Sequence, residues 1–222
     1  MVRRDYILRM IEEFASVLAR INFLKREGRI EEANDSLKQS FETLLGIESF
    51  AALQLTETEL LATLLKRESY QAIREKSFLL ARFFMESGDL STAQERLDLA
   101  RAYYLKGLRF LLHTLRQGDP FELPEFVPKV DEFLQALAAT PLPVPVHAQL
   151  MEYYERTGQF AKAEDSLFSL VMLDCENPVL PEFGRSFYHR LRSRSDEQLL
   201  SGNFSRAEIE EGLAEFEKAI PG

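Results

Sequence analysis

A six-residue pattern that occurs four times constrains the fold of this chain more than any other feature. It spans residues 28–33, 88–93, 158–163 and 202–207. Each copy has Gly, a polar residue, a large apolar residue, two mostly polar residues and Ala. Glycine tolerates the left-handed conformation that ends a helix, and alanine lets two helices approach closely. The pattern therefore predicts helical hairpins, with Ala93 and Ala163 buried where paired helices cross.

The rest of the chain has helical periodicity. In the first segment, steps of three and four place these residues on one helix face: Ile7, Ile11, Phe14, Leu18 and Ile21. No stretch alternates apolar and polar residues over a strand's length. The nearest, residues 142–146, contains prolines that exclude it from the interior of a sheet. The sequence therefore predicts an all-α fold.

Helix boundaries are marked at both ends. Capping boxes predict helix starts at Thr56 with Glu59, Ser91 with Gln94, and Ser205 with Glu208. Glycines predict helix ends at positions 28, 46, 88, 118, 158 and 202. Because the four pattern glycines are 60, 70 and 44 residues apart, further helices must lie between the copies, for example at 56–67 and 179–192.

The third copy resembles the tetratricopeptide repeat (TPR) over both of its helices. The matching residues are Leu150, Met151 and Tyr154, then Ala163, Leu167 and Leu170. Pro178 follows three residues later than in the family. The other copies match less fully, and the fourth, with Glu211 at an inward position, resembles a polar end cap. The resemblance implies an irregular stack of antiparallel helical hairpins, a TPR-like α-solenoid. The opening residues are also similar to those of uncharacterised bacterial helical-repeat proteins.

In the TPR family a partner peptide lies in a groove lined by the first helices of the repeats. Mapped onto the copies, the resemblance implies partner-contacting residues at Asn22, Lys25, Arg82, Met85, Glu152 and Glu155. Asn22 stands where the family often has a peptide-binding asparagine.

Prolines divide the chain. Residues 118–128 carry three prolines, and residues 140–146 carry three more. We predict an N-terminal helical block at 1–117 and a proline-containing joint at 118–146. Within the joint, Lys129 to Ala139 is a predicted short helix. A C-terminal block follows at 147–222, and its last helix, roughly 205–219, is its polar end cap.

Charge, cysteine content and hydropathy indicate where the protein is located and what it binds. With 36 acidic and 27 basic residues the net charge is −9, which repels nucleic-acid phosphates. The single cysteine, Cys175, cannot form an internal disulfide. No apolar run approaches the ~20 residues that a membrane helix needs. No apolar run follows the basic residues at the start, as one would in a signal peptide. We expect a cytoplasmic protein that binds a protein or peptide, and neither nucleic acid nor membrane.

No residue pattern typical of catalysis is present. The sequence has no phosphate loop, no dinucleotide-binding glycine cluster and no nucleophile elbow. None of the three histidines has a partner at a spacing typical of metal ligands. We therefore expect no enzymatic activity, no cofactor and no metal.

Two surfaces are further candidates for binding. Arg185, His189 and Arg192 fall on one helix face and could receive an acidic segment or a phosphate. We favour the alternative that this face is solvated and paired with acids such as Glu182 and Glu197. In the first helix, Met10, Val17 and Leu24 form a second apolar ridge. We interpret this ridge as a self-association or partner surface, which makes a homodimer an open alternative.

Three functions remain open. We favour an interaction scaffold that binds a peptide or helix of a partner protein. The second is a ligand sensor or enzyme with an apolar pocket, lined by Phe83, Phe84, Tyr103, Tyr104 and Phe110. The third is a self-associating structural protein. A closed apolar cavity would favour a ligand, whereas an open concave surface would favour a partner.

Overall fold

The described part of the chain is helical apart from its turns and loops. The computed structural model describes residues 2–66, 70–116 and 123–220, and in these ranges it contains twelve helices and no strand. The all-α class is therefore confirmed. The helices are α1 Val2–Arg26, α2 Ile30–Leu45, α3 Ser49–Gln54, α4 Glu57–Leu65, α5 Tyr70–Ala93, α6 Leu97–Arg116, α7 Val130–Ala136, α8 Val144–Arg156, α9 Phe160–Asp174, α10 Leu180–Arg192, α11 Asp196–Ser201 and α12 Arg206–Ala219. Among them, α4 and α10 lie in the two intervals where extra helices were predicted.

The chain divides into two compact units. The N-terminal unit is Met1–Pro141 and the C-terminal unit is Leu142–Gly222. The division falls inside the stretch predicted as a joint. Its short helix, α7, packs on α6 and belongs to the N-terminal unit, whereas the residues from Val144 onward form α8 of the C-terminal unit.

The N-terminal unit consists of two helical hairpins with shorter helices around them. Helices α1 and α2 pair, α5 and α6 pair, and α2 and α1 both pack against α5. Aromatic rings fill the space between the hairpins. Phe83 lies 5.4 Å from Phe14 and 5.6 Å from Phe41, and Phe41 lies 5.5 Å from Phe84, measured between ring centroids. Such edge contacts add to the free energy gained by burying the rings.

Three helix pairs are joined by the same sharp corner, which occurs again at Asn203 between α11 and α12. Gly28, Glu95 and Gly158 take the left-handed conformation, with φ of 72°, 59° and 72°. The N–H of each donates to the carbonyl three residues back, and the next N–H donates to the carbonyl five residues before it. This is the Schellman arrangement, which satisfies carbonyls at the helix end and turns the chain within three residues. The paired helices α1–α2, α5–α6 and α8–α9 therefore run antiparallel.

The predicted corner at Gly88 is wrong. Helix α5 continues through Gly88 to Ala93, and the corner lies seven residues further on, at Glu95. Gly88 serves a different purpose, because a Cβ there would lie 2.3 Å from Cε1 of Tyr104. The missing side chain lets α6 approach α5. Residues 95–100 have the spacing of the pattern, with Glu95 in place of glycine and Ala100 buried.

The predicted caps have mixed outcomes. The capping box of Thr56 and Glu59 is confirmed at the start of α4, and the Ser205 hydroxyl accepts from the N–H of Glu208 at the start of α12. Ser91 is no cap, since it lies inside α5 and donates to the Ser87 carbonyl at 2.7 Å. Gly46 ends α2 in the left-handed conformation as predicted. At the end of α11 that conformation belongs to Asn203 rather than Gly202. Gly118 lies outside the described residues.

The C-terminal unit combines the α8–α9 hairpin with α10 and α12. Helix α10 packs against α12 and α9. The approach of α10 to α12 is close, because a Cβ on Gly184 would lie 2.1 Å from Cζ of Phe216. Helix α12 is amphipathic as predicted. It buries Ile209 and Phe216, and its exposed side carries these charged residues: Glu208, Glu211, Glu215 and Lys218.

Leucine substitutions at two alanines of the pattern should show which of the predicted corners are present in the fold. Ala163 is fully buried in the α8–α9 hairpin, whereas Ala93 is exposed at the end of α5, contrary to the prediction. We expect Ala163→Leu to lower the free energy of unfolding by about 1–3 kcal/mol through overpacking. Ala93→Leu should change it by less than about 0.5 kcal/mol. Urea denaturation of the two variants measures both. Equal effects would contradict the placement of the second corner at Glu95.

Candidate partner-binding groove

An open apolar groove lies in the C-terminal unit, where the start of α8, the end of α9 and the start of α10 meet. Its volume is about 340 Å³, at the lower end of the range typical of ligand sites. Asp174 and Asn177 are its polar lining residues. The apolar ones are Val144, Pro145, Ala148, Leu170, Val179, Leu180 and Phe183. Pro145 and Val179 are exposed to solvent, so the groove opens at the surface.

Asn177 holds the loop that forms one side of this groove. Its backbone N–H donates to the Asp174 carbonyl at 3.1 Å, and its Nδ2 donates to Oδ2 of Asp174 at 2.9 Å. Its Oδ1 accepts from the N–H of Val179 at 3.1 Å. Local side-chain bonds of this kind fix a turn without secondary structure. The loop therefore presents Val179 in a defined position, with 68% of its surface exposed.

This groove was not predicted from the sequence. The signal that could have found it was Pro178, which stands three residues later than the TPR pattern places it. The extra residues form the loop between α9 and α10. Two apolar residues, Val179 and Leu180, follow the displaced proline and line the groove.

Two of the six predicted partner-contacting residues belong instead to a charge network inside the N-terminal unit. Lys25 Nζ donates to Glu86 Oε2 and to Asp89 Oδ2, both at 2.7 Å, and Arg82 pairs with the other oxygen of Glu86. The Glu86 side chain has no exposed surface. A carboxylate so buried needs close cationic partners. Lys25 supplies one from α1 and so joins α1 to α5, and Arg82 supplies the other from within α5.

The other four predicted residues lie in different surroundings. In the N-terminal unit, Met85 is buried in the core and Asn22 is half-buried. In the C-terminal unit, Glu155 is buried and accepts two hydrogen bonds from Arg190, at 2.7 and 2.8 Å, which join α8 to α10. Glu152 is half-buried on α8. The structure thus places Met85 and Glu155 inside their units rather than on a surface that a partner could contact.

The basic face of α10 is paired within the chain. Arg185 Nε donates to Glu217 at 3.3 Å, and Arg192 Nε donates to Glu210 at 2.8 Å. His189 is exposed between them. The favoured alternative, a solvated face paired with acidic residues, matches this arrangement. The acids, however, lie on α12 and are not Glu182 and Glu197.

The ridge predicted for self-association is part of the chain's own core. Met10 and Leu24 are 6% and 3% exposed, and Val17 is half-buried against the same cluster. Helices α2 and α5 both pack on α1, so they cover the second apolar face that had suggested a dimer. The structure therefore corrects the assignment of Met10 and Leu24 to an exposed surface.

The aromatic residues proposed to line a ligand pocket are also core residues. Phe83, Phe84 and Phe110 have no exposed surface, and Tyr103 and Tyr104 are 5% and 7% exposed. Phe83 and Phe84 both contact Phe41. Within the described residues, no group of three His, Cys, Asp or Glu side chains could hold a metal ion. Over the same residues, no helix is long and apolar enough to cross a membrane.

The comparisons with known proteins place the chain in a family. It belongs to a family of unknown function, DUF6483, whose model matches residues 1–220. No curated protein and no solved structure matches it. The helical hairpins and the open apolar groove described above therefore lie within the part of the chain that matches this family.

Removing the charge of Glu86 should destabilise the fold. Glu86→Gln removes the buried carboxylate that Lys25 and Arg82 share, although Lys25 keeps its pair with Asp89. Losing hydrogen bonds between charged groups costs about 1.5–3 kcal/mol. The matched control is Glu32→Gln, because Glu32 also pairs with an arginine, Arg29, but both are about half exposed. The control should behave like the wild type in urea denaturation. Equal stability of both variants and the wild type would contradict the structural role of the network.

Tyr104 should make stability fall at high pH. The pKa of Tyr104 is raised from 10.0 to about 12, mainly by burial. Asp89 accepts a hydrogen bond from the Tyr104 hydroxyl at 2.9 Å, and its negative charge contributes to the same shift. The unfolded chain therefore loses this proton first, and stability declines as pH rises from about 10 to 12. Lys25 also makes stability fall as pH rises. Burial lowers its pKa, but hydrogen bonds to Asp89 and Glu86 outweigh burial and raise it overall.

A comparison with Tyr104→Phe isolates this effect. The wild type should be more stable at neutral pH, where its hydrogen bond to Asp89 is intact. Its advantage should shrink as pH rises from about 10 to 12. Unfolding free energies measured in urea across this range test the expectation. Parallel curves for the two proteins would show that Tyr104 titrates alike in the folded and unfolded states.

Proposed function

We propose that this protein is an interaction module whose C-terminal unit holds an apolar segment of a partner protein in the groove between α8, α9 and α10. The observation that carries the proposal is the groove itself, an open apolar depression with Val179 at its edge, 68% exposed. Apolar side chains exposed around a depression are typical of sites that bind other molecules.

The loop geometry supports a preformed site. The hydrogen bonds of Asn177 hold Val179 beside Leu180 and Phe183 before any partner arrives. Binding to such a site avoids the entropic cost of ordering a loop. Because the groove is open, an extended or helical segment can enter it without any opening of the helix pairs.

The proposal includes a TPR-like character for the hairpins. The corners at Gly28, Glu95, Gly158 and Asn203 share one hydrogen-bond pattern, and residues 28–33, 95–100 and 158–163 share one sequence spacing. In this proposal the chain is a cytoplasmic scaffold without catalytic activity. Its partner surface is the α8–α9–α10 groove rather than the groove that the family resemblance implies at Lys25, Arg82 and Met85.

The test is a pair of charge substitutions at exposed apolar residues. Val179→Glu places a carboxylate at the edge of the groove, and the fold should tolerate it because an acidic residue suits the start of α10. The matched control is Leu200→Glu, since Leu200 is 71% exposed on α11 and does not line the groove. Affinity capture from the native cell identifies partners of the wild type, which are then purified for direct titration.

We expect Val179→Glu to weaken binding of the purified partner at least about tenfold, because a charge enters an apolar contact. Leu200→Glu should bind like the wild type. Circular dichroism checks that both variants are folded. A partner that binds both variants equally well would show that the groove is not the binding surface.

A further inference from the structure

Three carboxylates belong to the lining residues of the groove or to their neighbours in sequence, and none has a cationic partner in the described part of the chain. Asp174 lines the groove, Glu176 follows it in the loop, and Glu182 lies on α10 between two lining residues. Asp174 and Glu182 accept hydrogen bonds only from neutral groups, Asn177 and Ser186. Glu176 and Glu182 are exposed. We call these three residues the acidic rim.

The acidic rim differs from other carboxylates of the same unit. Four of those are each paired with an arginine, in the pairs Glu155–Arg190, Glu210–Arg192, Glu217–Arg185 and Asp196–Arg206. The segments that build the groove contain no Lys or Arg. None occurs between residues 142 and 151, nor between Lys162 and Arg185. The negative charge of the rim is therefore left uncompensated beside an apolar surface.

We propose that the groove takes a segment of a partner protein in which apolar residues are flanked by lysine or arginine. This inference rests on the proposed function and adds the chemistry of the partner. The apolar side chains fill the groove, and the flanking cations meet the acidic rim. Charge complementarity of this kind contributes mainly to specificity and to the rate of association.

The same charges disfavour the other candidate occupants. A second copy of this chain carries a net charge of −9, so it would be repelled at close range unless it presented a basic patch. The arginines of α10 cannot supply that patch, because Arg185 and Arg192 are paired with carboxylates. A fatty acid would bring its own carboxylate to the acidic rim.

A random-peptide display library, selected on the immobilised full-length protein, identifies what the groove prefers. Val179→Glu serves for counter-selection, so that only peptides that depend on the groove are kept. We expect the retained peptides to combine apolar residues with flanking Lys or Arg. Retained apolar peptides without basic residues would overturn the inference but leave the proposed function standing. If no peptide depends on Val179, both fail.

Direct titration then tests the role of the acidic rim. A selected peptide is compared with one in which each Lys or Arg is replaced by Glu. The wild type should bind the basic peptide about tenfold more tightly at low salt, from two or three screened charge contacts. This preference should shrink as salt is added. The double variant Glu176→Gln and Glu182→Gln should remove most of it.

Glu210→Gln is the matched control, because Glu210 is also an exposed acid of this unit but is paired with Arg192. It should keep the wild-type preference. A preference that persists in the double variant, or that the control loses equally, overturns the inference.

Light scattering tests whether a second copy of the chain occupies the groove. A dimer that Val179→Glu abolishes would identify a second copy as the occupant and overturn the proposal of a basic segment.

Discussion

The left-handed residue at the end of α1, α5 and α8 is the constraint on which the packing of both units depends. It turns the chain within three residues and, through the two Schellman hydrogen bonds, closes one helix while it aims the next back along it. Two of the three residues are glycines, and the third, Glu95, takes the same conformation with a side chain. In α1–α2, α5–α6 and α8–α9, this short corner and the packing of the two helices on each other together set the pair antiparallel.

Close helix contact then requires small residues and satisfied charges at particular places. Gly88 makes room for the ring of Tyr104, and the Tyr104 hydroxyl donates to Asp89, which also accepts from Lys25 of α1. One cluster of polar groups thus connects three helices of the N-terminal unit. Because an unpaired Glu86 would be costly in the interior, the cluster also favours one register of α1 against α5.

The distribution of charge bears on function in the C-terminal unit. Four of its arginines pair with carboxylates and join α8, α10, α11 and α12, whereas the acids of the rim have no cationic partner among the described residues. An apolar depression with an uncompensated negative border suits a partner of opposite charge. The family model that matches residues 1–220 describes a family of unknown function, so the groove is the feature from which function can be sought.

Periodicity and local capping were enough to predict the all-α class, the corners at Gly28 and Gly158, and the helices α4 and α10. These depend on interactions within a few residues, which a sequence displays directly. Whether a glycine ends a helix or admits a neighbouring ring depends on the neighbour. For that reason Gly88 was misassigned, and Ala93 proved exposed. The same holds for charges. Lys25 and Glu155 resemble surface residues in sequence, but the packing of separate helices pairs them with Glu86 and Arg190. Because these partners lie tens of residues away along the chain, the sequence alone does not show them. The absence of such a partner for the acidic rim, within the part of the chain that the structure describes, is likewise a result of the tertiary structure.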